Sequence, residues 1–140
     1  MAQRKNDSSA VLYARRGAVA WVTLNRPAQF NAYNMAMRDD LFQILAAIHD
    51  DREVRAMVLR GAGQAFSTGG DLAEFGMAPS PIVARWVRFR RDVWGLLRAL
   101  PIPTIAAIHG YTVGGVCYGI VKRDNRGDRR TSRRQLSSWC

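Results

Sequence analysis

Ala65-Phe66-Ser67-Thr68-Gly69-Gly70-Asp71-Leu72, together with the apolar run Val54 to Leu59 before it, is the stretch on which the fold turns. Met57, Val58 and Leu59 followed by Gly61 and Gly63 read as a buried strand running into a tight loop. Glycines at 69 and 70 then let backbone N–H groups approach a ligand closely, which is what an oxyanion hole requires. Taken by itself, such a pair more often marks a simple strand-to-loop turn.

The chain on either side repeats this design. Upstream, Val11 to Tyr13 and Ala18 to Leu24 are β-rich runs separated by Arg15, Arg16 and Gly17, a hairpin signal that puts Trp21, Val22 and Leu24 in a core strand. Met37, Leu41, Ile44, Leu45 and Ile48 recur at helical spacing after Asn34, a plausible cap, and predict an amphipathic helix near 35–49 with Leu41 facing the core. Downstream, Ile82, Trp86, Phe89, Val93, Leu97 and Leu100 predict one helix near 81–99 with Trp86 facing the core. Pro101 and Pro103 stop it, and Thr104 to Ile108 forms a third buried strand leading into His109-Gly110-Tyr111-Thr112-Val113-Gly114-Gly115. A donor N–H at Gly115 opening a helix would add a positive dipole end to a site there. Strand and helix alternate, so the fold class is α/β.

The 140 residues suit one domain that buries roughly two-thirds of its unfolded surface, and a 48% hydrophobic composition supplies a core. Residues 1–9 read as a flexible leader without the pattern of a secretory signal, 10–121 as the folded body, and 122–140 as a basic tail expected to be disordered. Ala99 to Val121 lacks acidic and basic side chains but is broken by prolines and glycines, against a membrane span. Cys117 and Cys140 form no disulfide framework and no zinc spacing, so a reducing, cytoplasmic setting without a metal is expected. The net charge is +10, of which +5 falls in residues 122–140. That basicity makes a nucleic-acid or acidic-surface binder the alternative reading, although no nucleic-acid motif accompanies it. Salt-dependent retention on heparin, with and without 122–140, discriminates the two.

Leu24-Asn25-Arg26-Pro27, Asn31-Ala32, the strand ending in Arg60-Gly61, the loop from Ala65 to Leu72, and Pro103 to Gly115 resemble, in that order and spacing, the enoyl-CoA hydratase/isomerase or crotonase family. The resemblance covers roughly residues 11–117 and implies a crotonase-like spiral of ββα units, truncated. It implies that backbone N–H groups of Gly70 and Gly115 bind the carbonyl of an acyl-CoA thioester. The Thr68 carbonyl would face the adenine amino group, and Gly70, Asp71, Leu72 and Ala73 would line the bent CoA. No further cofactor is implied, since coenzyme A is part of the substrate. Losing one such donor raises a barrier by about 3 to 4 kcal/mol.

The sequence departs from the family pattern after Gly115. The family's third glycine is Val116 here, and the position of its water-activating glutamate is Tyr118, whose ordinary pKa of roughly 10 makes it a poor base at neutral pH. No later family segment follows, so a frameshift or misread terminus, impaired catalysis and no family-type trimer or hexamer are expected; sequencing the coding DNA decides the first. Asp71 and Glu74 are expected to make local loop hydrogen bonds and to place charge at a helix start, rather than to catalyse. His49 reads as a surface residue at a helix C-terminus, and His109 has no second ligand at metal spacing.

Overall fold

The computed structural model describes residues 9–74 and 76–114. β1 (Val11–Arg16) and β2 (Val19–Leu24) form an antiparallel hairpin whose register pairs Val11 with Leu24 and Arg16 with Val19. A 3-10 turn over Pro27–Gln29 leads to α1 (Met35–Asp50), which returns the chain to β3 (Ala56–Gly61), parallel to β2. β4 (Ala65–Ser67), a second 3-10 turn at Leu72–Glu74, α2 (Pro81–Phe89) and α3 (Val93–Ala99) follow. β5 (Thr104–Ala107) then pairs in parallel with β3, giving the order β1-β2-β3-β5, and β6 (Tyr111–Thr112) pairs in parallel with β4. This is the α/β arrangement that the alternating pattern implies.

The core lies between one face of the four-stranded sheet and helices α1 and α3. Ala20, Val22, Leu24, Met57 and Leu59 meet Met37, Leu41, Leu45 and Ile48 from α1 and Val93 and Leu97 from α3, all buried. Each valine, leucine, isoleucine or methionine so buried contributes about 1.5 to 3 kcal/mol. Asn34 caps α1 by accepting the Met37 N–H at 2.9 Å. On the opposite sheet face, the guanidinium groups of Arg16 and Arg60 lie 5.6 and 5.3 Å from the centre of the Trp21 ring, so Trp21 is half-buried under cations rather than in the core.

Besides Trp21, two expectations are corrected. The strand from Thr104 is not buried: among the described residues β5 stands last in the strand order, and Ile105 and Ile108 are 58% and 40% exposed. The apolar run from Ile82 to Leu100 is two helices, because Asp92 starts α3 by accepting the Gly95 N–H at 2.8 Å. The break takes the two apolar stripes out of phase. Val93 and Leu97 reach the core, whereas Trp86 is 61% exposed and Ile82 is also exposed. Among the described residues, no helix is long and apolar enough to cross a membrane. Gly115 to Tyr118 and the basic residues 122–140 lie outside the described residues, as does the leader before Ser9.

Candidate functional site

β2, β3 and β5 run parallel, so the loops leaving Leu24, Gly61 and Ala107 converge at one edge of the sheet. Ligands in open α/β sheets bind at that edge. The convergence is built from hydrogen bonds centred on Asn31, which is fully buried. Its Oδ1 accepts the Arg26 N–H at 2.8 Å, and its Nδ2 donates to Ala62 O at 2.9 Å and Ala65 O at 2.8 Å. Ser67 Oγ donates to Asn31 O at 2.9 Å. Phe30 and Asn31 both take positive φ, 49° and 55°, a conformation that asparagine tolerates better than most residues. Strain of this kind persists only where surrounding bonds hold it, as they do here.

The third loop closes on the second. Phe66 N–H donates to His109 O at 2.8 Å, and Val113 N–H to Ser67 O at 3.0 Å. His109 Nε2 lies 2.8 Å from Gly63 O; since a carbonyl only accepts, the ring donates from that nitrogen. Gly69 and Gly114, with φ of 91° and 78°, cross so closely that a Cβ on Gly114 would stand 2.9 Å from Gly69 Cα. The crossing lies one residue before Gly70 on one segment and one residue before Gly115 on the other.

Around Gly70 the backbone is fixed on both sides. Tyr33 N–H donates to Gly69 O at 2.7 Å and Asp71 N–H to Tyr33 O at 2.9 Å, a parallel bridge in which Tyr33 uses both its groups. Gly70 contributes neither of its own groups to that bridge, so its N–H points away from Tyr33. Thr68 N–H reaches Phe30 O at 3.1 Å and Gly69 N–H reaches Ser67 Oγ at 3.3 Å. Among the described residues the exposed Gly70 N–H meets no acceptor.

The remaining expected residues lie on the same loop. Thr68 is half-buried, and Leu72 and Ala73 are exposed, Leu72 at 81%. Asp71 Oδ1 accepts the Ala73 N–H at 3.0 Å and Oδ2 pairs with Arg26 Nη1 at 2.9 Å. The Ala73 N–H first, and then Arg26, hold the Asp71 carboxyl below its usual range. Glu74 accepts the Met35 N–H with both oxygens, at 3.1 and 3.0 Å, so its charge sits at the start of α1. Both carboxylates therefore serve the local roles that the sequence suggests. Tyr33 packs on Trp94 with ring centres 5.6 Å apart, and burial pushes its phenol well above the usual tyrosine range.

Two contributions escape a reading of the sequence alone. Arg26 reaches Asp71 across 45 positions, and nothing local marks that pairing. Asn31 and Arg26 belong to the motif that carries the family resemblance, but their roles as hub and clamp come only from the folded loops.

The enoyl-CoA hydratase/isomerase family profile matches residues 14–121. A probable enoyl-CoA hydratase of Mycobacterium bovis is 34% identical over 107 residues, which is 76% of this chain and 41% of that protein. A crystal structure of an enoyl-CoA hydratase/carnithine racemase from Magnetospirillum magneticum is 38% identical, superposes with a TM-score of 0.74 and is matched over 79% of this chain and 42% of its own. A crystal structure of an enoyl-CoA hydratase/isomerase from Xanthobacter autotrophicus Py2 is 36% identical with a TM-score of 0.73, over 79% and 42% respectively. The chain thus spans about two-fifths of the length of these relatives.

Proposed function

The chain belongs to the enoyl-CoA hydratase/isomerase family, and from that premise we propose that it binds an acyl-CoA thioester, with the carbonyl oxygen accepting hydrogen bonds from the backbone N–H groups of Gly70 and Gly115. The observation that carries this reading is the Gly70 N–H, which meets no acceptor among the described residues while its neighbours on both sides are bonded. The Gly69–Gly114 crossing supports the pairing with Gly115, because it brings the two segments together one residue before each donor. Thr68, Asp71, Leu72 and Ala73 line the approach in this reading, and the exposed Leu72 offers apolar surface to the ligand.

Backbone donors of this kind stabilise negative charge on the thioester oxygen when a proton is added or removed at the α-carbon. Proton transfer itself needs a positioned acid or base, a contribution of roughly a hundredfold to ten-thousandfold. Tyr118 occupies the position that the family resemblance assigns to a glutamate. Binding without efficient hydration is the expected behaviour of this chain. The test is a calorimetric titration with crotonyl-CoA, followed by the loss of its conjugated absorbance. Binding with little loss supports the proposal. Turnover near that of a full-length family enzyme contradicts the impairment, and absence of binding by a folded sample removes the thioester site.

A further inference from the structure

We propose that Arg26 is a positioning residue that strengthens the Gly70 N–H through a relay of two peptide groups, an assignment that rests on reading Gly70 as a thioester-oxygen donor. Arg26 Nη1 donates to Ala32 O at 2.6 Å. The N–H of that same peptide group belongs to Tyr33 and donates to Gly69 O at 2.7 Å. The N–H of the next peptide group is that of Gly70. Because each peptide is planar and trans, its C=O and N–H point in opposite directions, so the three donors line up in series. A guanidinium at the head of such a chain withdraws charge from the Ala32 carbonyl, and each successive N–H becomes a stronger donor.

The surroundings keep this effect from being lost to solvent. The Arg26 and Asp71 side chains are only 18% and 16% exposed, so salt screens them less than it would a surface pair. Arg26 Nη1 also lies 2.9 Å from Asp71 Oδ2, and Asp71 N–H pairs with Tyr33 O at 2.9 Å. One nitrogen therefore grips both strands of the bridge that orients Gly70. Asp71 sets the place of the guanidinium, and the Ala32 carbonyl carries its charge toward the site.

The probe is p-dimethylaminocinnamoyl-CoA, a conjugated thioester whose visible absorption moves to longer wavelength as its carbonyl oxygen is polarised. Spectra are taken at saturating probe with the full chain, and circular dichroism monitors folding. Wild type is expected to show the red shift, Arg26→Lys to keep it, and Arg26→Gln, which still donates but carries no charge, to reduce it by about 10–30% per bond of the relay. An unchanged shift in Arg26→Gln, or equal losses in Arg26→Gln and Arg26→Lys with probe bound, would each overturn the relay while leaving the Gly70 reading intact. A wild-type protein that binds the probe without any shift removes the Gly70 reading, and the relay with it.

Discussion

Gly69 and Gly114 cross with their backbones in van der Waals contact: a Cβ on Gly114 would lie 2.9 Å from Gly69 Cα, and one on Gly69 would lie 3.2 Å from Val113 O. Backbone rather than side chain occupies the space, so neither segment can yield without moving the loop that carries Gly70. Gly114→Ala is expected to lower stability by about 2 to 4 kcal/mol, combining left-handed strain with overpacking. Gly17→Ala is the control: φ is 58° there as well, but nothing lies within 4 Å of the added carbon, so only about 1 to 2 kcal/mol is expected. Urea midpoints measure both, and equal losses would contradict the crossing.

Asn31 ties the loop after β2 to the β3–β4 segment with its side chain while being fully buried. Asn31→Ala leaves the Arg26 N–H and the Ala62 and Ala65 carbonyls without that partner. A loss of about 2 to 4 kcal/mol in chemical denaturation is expected, given about 1 to 3 kcal/mol for a buried group left unsatisfied. A change below about 1 kcal/mol would show that the loops hold together without it.

The helix break at Asp92 separates Trp86 on α2 from the buried Val93 and Leu97 on α3, with which it shares one apolar pattern in the sequence; Leu41, a core residue of α1, is the buried reference for Trp86. Leu41→Asp, at a position 4% exposed, is expected to cost several kcal/mol. Trp86→Asp, at 61% exposure, is expected to stay within about 1 kcal/mol of wild type. Melting temperatures of the two variants decide the point, and comparable losses would place Trp86 in the core after all.

These positions also show what the sequence makes legible. Periodicity finds α1 and the buried side chains of Met37, Leu41, Leu45 and Ile48, because a helix against a sheet demands that spacing. It merges α2 with α3, because an N-cap aspartate followed by glycine is a local signal inside a longer apolar repeat. The glycine pairs are legible as places of close approach. The Arg26–Asp71 pair and the Asn31 hub are not, since both join residues more than 30 positions apart through loops whose path no local pattern encodes.

The acid limb of stability tests the Asp71 contacts. Its folded-state carboxyl is held below the ordinary value, first by the Ala73 N–H and then by Arg26, so these contacts stabilise the fold above the unfolded pKa of roughly 3.9 and are lost as pH falls through the folded value. The melting-temperature gap between wild type and Asp71→Asn is therefore expected to narrow below about pH 4. A gap that stays constant through that range would show that the carboxylate charge contributes nothing.

The central claim, that the Gly70 N–H receives a thioester oxygen, is tested most directly by the Gly70 amide proton resonance in the 15N-labelled chain. Titration with crotonyl-CoA is expected to move it downfield, because an N–H donating to a polarised oxygen is deshielded. The thioether analogue, in which a methylene replaces the carbonyl, is expected to bind through the rest of coenzyme A and leave that resonance nearly in place. A Gly70 resonance that stays still at saturating crotonyl-CoA, or moves equally with both ligands, would contradict the account.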